Sequence, residues 1–309
     1  MPACLTHYSF AKLMIPEEEK PFEDVICLGT QGSDPFFYYG ILPFWTGPDK
    51  DEIQKVGERV HHEEIGVYYS KLIEYAKKSP KKEMLFAYID GLWMHYCVDR
   101  NFHPYIFSRS GVDETGRLKG YYKFSHGLFE ALLDVYFSRE YWKFTKTSST
   151  LKVGEEDLME ISRMWSTLSN VFPVLKEDSF AKAAIAHKGV EGVLWSRTGL
   201  KRILFRIVGK HSLAYGMSYP KFYRRYDYVD ILNKSHSPWV HPITGETFTD
   251  SVDDLLNKAK EDYRKVHEIL VRCKEEEVPV KEFVAFVNKL NHDGFPYLSE
   301  IRHFSLCWK

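Results

Sequence analysis

The stretch Tyr88–Tyr105, YIDGLWMHYCVDRNFHPY, decides how this chain is read. It has the apolar density of a buried helix, yet it carries His95, Asp99 and His103 at intervals of four. Each helical residue advances about 100°. With His95 at zero, Asp99 falls at about 40° and His103 at about 80°, and Tyr88, Leu92 and Leu85 share that arc. The three polar residues therefore continue the apolar stripe and point into the protein. Two readings stay open for this helix alone: core histidines satisfied by their neighbours, or ligands. A buried carboxylate without a partner is costly, so Asp99 needs Arg100 or a metal ion beside it. Pro104 disfavours a helical residue before it, so the helix is expected to end at His103, with the last imidazole at its mouth.

Two neighbouring stretches repeat the pattern. In HGLFE, His126 and Glu130 are four apart, with Leu133 and Phe137 within about 20° of His126 on the wheel. In ERVHHEEIGVYYSKLIEYA, Ile65, Tyr68, Leu72 and Tyr75 fall within about 40° of His61, whereas His62 lies about 100° away as a flank residue. The alternatives are a surface His/Glu contact and a core-edge histidine. The loop LGTQGSDPFFYYG adds Asp34, held extended by Pro35 behind a Gly-rich turn; a plain turn-forming role is its alternative. His7, in LTHYSF, says nothing by itself. Six of the 13 histidines lie in the first 126 residues, and the other seven show no ligand-like spacing.

Periodicity elsewhere is helical, with expected helices at roughly 4–14, 50–78, 83–103, 125–140, 155–171, 179–188, 251–276 and 279–291. Ser125 reads as one helix start, and Ser251 with Asp254 as a capping box for another. The expectation is an all-α multi-helix bundle forming a single domain over 1–309, with a ligand-bearing half at about 1–140 and a helical half at about 155–309. Residues 105–122 read as a Gly-containing polar loop. The Ser/Thr/Lys-rich 141–155 reads as the weakest connection and a candidate subdomain border.

Composition excludes several classes. The chain has 309 residues, 44% hydrophobic and 28% charged, with a formal net charge of -1. That is globular, with no global attraction to nucleic acid or anionic lipid. The five scattered cysteines make neither a disulfide framework nor a CxxC metal site. No signal peptide and no membrane-spanning run is read, so a cytoplasmic location is expected.

Together the signals give five histidines and three carboxylates: His7, Asp34, His61, His95, Asp99, His103, His126 and Glu130. Three converging carboxylates would repel one another and shift toward protonation. Two or three divalent ions would neutralise them. Imidazole with carboxylate suits zinc, with iron and manganese as alternatives.

The order of these residues resembles the zinc-dependent phospholipase C family of bacteria, whose trinuclear site is shared in kind with zinc-dependent single-strand nucleases. The resemblance rests on the early His7, on GSDPFFYY with Asp34, on the helix with His61, on GLWMHYCVDRNFHPY and on HGLFE. It covers roughly residues 1–140; HPITGETF, at 241–248, resembles cytoplasmic members more loosely. It implies a largely helical fold. It also implies that Asp34, His61, His95 and Asp99 hold one metal, that Asp99 bridges to a second held with His7, and that His103, His126 and Glu130 hold a third. Secreted members complete the His7 ion with the amine and carbonyl of a processed first residue, a Trp. This chain starts Met1-Pro2, which leaves that ion absent, or completed by water or by Pro2 after Met removal.

The expected chemistry is hydrolysis of a phosphoric ester by metal-activated water, with Asp34 as the carboxylate that ligates and takes the proton. The substrate is a small phosphodiester or a phospholipid, with nucleic acid as the alternative; a non-catalytic protein stapled by metal is the rival from another class. From Arg197 to Arg225 eight Lys/Arg occur without an Asp or Glu. A solvated helix face with aromatic undersides is the preferred reading there, and a phosphorylated substrate, nucleic acid or peripheral membrane contact the alternatives.

Overall fold

The computed structural model describes residues 4–41, 47, 49–142, 146–196, 198–219, 230–287, 292–296, 299–304 and 306. Among them are twelve α-helices and one antiparallel pair of two-residue strands, β1 (Trp239–Val240) and β2 (Thr247–Phe248). The chain is all-α, as its periodicity implies.

Helix α5 (Lys82–Ser110) is the axis of the fold. Buried positions occupy 24 of its 29 residues, which is what a helix apolar on every side requires. Packed around it are α1 (Cys4–Met14), α2 (Glu23–Gly29), α4 (Ile65–Lys78), α6 (Gly120–Trp142) and α11 (Val252–Lys274). The aromatic content fills this centre. Trp165, on α7 (Glu155–Ser166), donates its indole N–H to Tyr88 at 2.8 Å and stacks on Phe180 of α8 (Ser179–Leu194). Helices α2 and α5 meet backbone to backbone: a Cβ on Gly29 would lie 2.3 Å from the Tyr88 carbonyl oxygen, and one on Gly91 would lie 2.8 Å from Gly29 Cα.

Several expected boundaries move. The helix does not stop at His103 but runs through Pro104 to Ser110. Proline removes one N–H and forgoes the bond to the Arg100 carbonyl. That carbonyl instead abuts Gly294, whose hypothetical Cβ would come within 2.2 Å of it, and burial of Tyr105, Ile106 and Phe107 holds the last turns. The loop expected at 105–122 therefore shrinks, since α6 already begins at Gly120 and Ser125 lies inside it. The span 50–78 is two helices, α3 (Lys50–His62) and α4, broken where Glu63 and Glu64 turn extended, with ψ of 177° and 101°. No Gly or Pro signals that break. The helix expected over 155–171 ends at Ser166 and continues as a 3-10 turn, Thr167–Asn170, and α8 runs on to Leu194. Helix α12 spans Val280–Val287; the expected remainder at 288–291 lies outside the described residues. The capping box is in place, with Ser251 accepting from the Asp254 amide and donating its own amide to the Asp254 carboxylate at 2.8 Å.

In the 141–155 connection, Thr147 and Thr150 are buried. Thr147 donates to the Glu191 carbonyl at 3.1 Å, which ties this stretch onto α8. Residues 143–145 lie outside the described set. Two helices have no counterpart in the periodicity reading of the basic run: α9 (Leu200–Val208) and α10 (Leu213–Met217).

Candidate metal centre

Each expected ligand is placed by a specific local device. Helix α1 carries His7, and Asp134 of α6 caps its N-terminus: its carboxylate accepts from the amides of Leu5 and Thr6 at 3.0 and 2.8 Å and from the Thr6 hydroxyl at 2.7 Å. Tyr219 donates to the same carboxylate at 2.7 Å. Asp34 opens a 3-10 turn with Pro35 directly behind it. Gly32 precedes it with φ +57°, and a Cβ there would fall 2.2 Å from His95 Cδ2. Only glycine lets this backbone pass the imidazole. His61 sits in the last turn of α3, His95, Asp99 and His103 on successive turns of α5, and His126 and Glu130 on α6.

All eight side chains are buried, none more than 4% exposed. Three groups bring one donor atom each within 4.8 Å of one another: Asp34, His61 and His95; His7, His95 and Asp99; His103, His126 and Glu130. Asp99 lies at the centre. Its Oδ1 faces His7 Nε2 at 3.1 Å and His103 Nε2 at 3.9 Å, while its Oδ2 faces His95 Nε2 at 3.0 Å and His61 Nε2 at 3.8 Å. One carboxylate thus offers its two oxygens to two different pairs of imidazoles. Asp34 Oδ1 stands 3.0 Å from His61 Nε2. Glu130 Oε1 stands 3.2 Å from His126 Nε2 and 3.5 Å from His103 Nε2.

The protons at two of these imidazoles can be located by elimination. His61 Nδ1 lies 2.7 Å from the Gly57 carbonyl, and His95 Nδ1 lies 3.0 Å from the Thr30 carbonyl. A carbonyl only accepts, so both Nδ1 atoms carry hydrogen, which leaves Nε2 as the atom each ring can offer to a metal. Those Nε2 atoms face carboxylate oxygens at 3.0 Å. The Nε2 atoms of His7, His61 and His95 and the Oδ2 of Asp99 make no hydrogen bond of acceptable geometry. Buried polar atoms left without hydrogen bonds are costly, and a cation held between them would satisfy them. Donors bound to one zinc at about 2.0–2.2 Å in tetrahedral array stand about 3.3 Å apart. The residues present fit such an ion.

Burial pushes Asp34, Asp99 and Glu130 upward, but positively charged neighbours, imidazoles among them, more than reverse this and hold all three below the usual carboxylate range. The site therefore holds ionised carboxylates. A further group, Glu19, Asp90 and His267, differs in kind. There Asp90 is already engaged by the Tyr263 hydroxyl and by His267 Nδ1 at 2.9 Å, so it joins α5 to α11.

A cavity of about 380 Å³ opens onto this centre, and His61, His103, His126 and Glu130 form part of its wall. Asp34, His7, His95 and Asp99 are not in that wall. Phe37, Phe107 and Met217 supply apolar surface, and Lys55 and Lys123 supply positive charge.

Three residues outside the expected set belong here. Asp293 Oδ1 stands 3.0 Å from His103 Nδ1 and its Oδ2 3.0 Å from His62 Nδ1. His62, read from the sequence as a flank residue, thus joins the cavity wall through Asp293. The buried His292 ring is centred 4.8 Å from that of His61, with neither nitrogen hydrogen-bonded, and burial lowers its pKa well below the usual value. The adjacent pair in NHDG was the available signal. It lies about 160 residues from the α6 ligands, in a stretch with no periodicity.

No family model matches the chain, and no curated protein and no solved structure matches it.

Proposed function

We propose that this protein is a metal-dependent phosphoric-ester hydrolase, akin to the zinc-dependent phospholipases C, acting on a compact phosphodiester such as a phospholipid headgroup. One observation carries the reading: buried imidazole Nε2 atoms without hydrogen bonds face ionised carboxylates at about 3 Å beside an open cavity. Two or three divalent ions would fit the donor groups: Asp34, His61 and His95 would hold one, His7 and Asp99 would serve a second, and His103, His126 and Glu130 would hold another. Imidazole with carboxylate suits zinc, with iron or manganese as alternatives. When bound, such ions supply Lewis-acid polarisation of a phosphoryl group and lower the pKa of water.

The chain's own residues would do the rest. Glu130 and His126 would fix the cation nearest the cavity, since both reach its wall. Asp34 stays ionised, which suits a metal ligand beside His61. Lys123 would meet the phosphodiester charge at the wall, where Lys55 is already paired with Glu52. A pocket of this size, with apolar sides and no excess of cations, favours a headgroup-sized substrate over a single strand, which needs a long cationic groove with stacked rings. An open cavity on the ligands also favours catalysis over a closed structural site.

The test is a screen of phospholipid, aryl phosphodiester, phosphomonoester and single-stranded DNA, with and without chelator. Chelator-sensitive turnover of phosphodiesters, abolished in His95→Ala, is expected. Turnover indifferent to both would end the reading, and cleavage of DNA alone would move it to a nuclease.

A further inference from the structure

Among the described residues of the basic run, Lys201, Arg206 and Lys210 are exposed and Phe205 packs inward, as a solvated face with aromatic undersides requires, but an apolar face is exposed beside them. Helix α9 turns its apolar side outward. Leu200, Ile203, Leu204, Ile207 and Val208 are 67, 58, 59, 77 and 80% exposed. With Leu200 at zero, these five span about 300° to 80° on the wheel. Lys201 and Arg206, both exposed, border that arc at about 100° and 240°. The inward side is polar and anchored. Arg202 is buried, its guanidinium donates to the carbonyls of Tyr215 and Ser218 at 2.6 and 2.5 Å, and it lies over the Tyr215 ring. Phe205 packs into a small cluster with Met217 and Leu194. A fixed helix with an aliphatic outer ridge is not a solvent-facing design.

We propose that α9 is an interfacial anchor that seats the protein on an anionic phospholipid bilayer. Cationic borders beside an aliphatic face are the composition of a helix lying at the headgroup boundary, its apolar side buried about 5–10 Å deep. Charge selects lipid over the other occupants. Residues 192–226 contain no Asp or Glu, so a second copy docked through this face would set Lys201, Arg206 and Lys210 against their own kind. Acidic headgroups complement those cations, and a fluid bilayer accepts a convex ridge that would need a matching groove on a protein. Position agrees too. Helix α10 follows directly, and its Leu213 and Met217 line the cavity beside His126 and Glu130. Seating α9 in the headgroup layer would bring the cavity close to the lipid surface. That last consequence rests on the phosphodiesterase reading; the docking itself does not.

The experiment is co-sedimentation of the full chain with vesicles of phosphatidylcholine, alone or mixed with phosphatidylglycerol. The comparison is Ile203→Gln/Ile207→Gln, two exposed positions whose change leaves the core intact, with thermal melting as the check on folding. The expected result is partitioning onto the mixed vesicles, weakened by salt and reduced at least about tenfold in the double variant. Wild-type protein that stays in the supernatant with both vesicle types would overturn the proposal, as would a double variant that binds equally well. So would a dimer in sedimentation velocity that the variant dissolves, which would assign the face to a second copy. A soluble phosphodiester assay on both proteins separates the two ideas: binding without turnover sinks only the hydrolase, and turnover without binding sinks only the anchor.

Discussion

Asp293 tests the residue scale, because it pairs with a ligand without being one. It stands 3.0 Å from His103 Nδ1, on the ring edge away from the ligand group. A carboxylate there fixes ring orientation and raises the basicity of Nε2; removing such a partner typically lowers metal affinity 10–100-fold. Asp293→Asn should therefore weaken binding of one ion per chain by that order, in competition with a chromophoric chelator, while the fold persists. Unchanged affinity would mean that the contact is incidental. Single residues were legible in the sequence wherever helical phase bore on them. The wheel selects His61 over His62 because one lies with Ile65 and Tyr68 and the other does not. Asp99 and Glu130 follow for the same reason. Asp293 and His292 come from a stretch with no phase, and what recruits them is tertiary: the His292 amide donates to the His61 carbonyl at 3.2 Å.

At the scale of elements, the ligands on α5 depend on how closely that helix meets α2. The crossing is made of Gly29 and Gly91, and a methyl on Gly91 would lie 2.4 Å from the Ile26 carbonyl oxygen. Such an approach cannot be relieved by a side-chain rotation. Gly91→Ala should cost about 1–3 kcal/mol in denaturant unfolding through overpacking. It should also disturb His95, whose Nδ1 is held by the Thr30 carbonyl just beyond α2. A variant as stable as the parent would show that the helices can separate freely. Element type was readable from period alone, and the Ser251 capping box was readable from chemistry. Ends were harder. Pro104 carries a local stop signal that burial of the following aromatic turn overrides. The Glu63–Glu64 break has no local signal, and Glu63 is held there by Arg59 at 2.6 Å and by Tyr68.

At the scale of the whole molecule, two buried acids that are not among the eight ligands link stability to pH. Burial raises Asp134 to about 7 and Glu191 to about 8. In the unfolded chain they titrate near about 3.9 and 4.3. Their folded pKa values are raised, so the stability they contribute is full below about pH 4 and is lost as pH rises through about 7 to 8. The wild-type melting temperature should fall from pH 5 to pH 8, and Glu191→Gln should flatten that slope; an identical slope in the variant would refute the assignment. Fold class was legible here because it sums many periodic segments. The outward apolar face of α9 was not, because a wheel gives phase without saying which side meets the protein. The claim beneath all of this is that eight buried side chains surround divalent cations. Elemental mass spectrometry of protein purified without chelator tests it most directly. Two or three zinc, iron or manganese ions per chain, falling in His95→Ala, is the predicted result, and a chain that carries none after equilibration with excess zinc would contradict it.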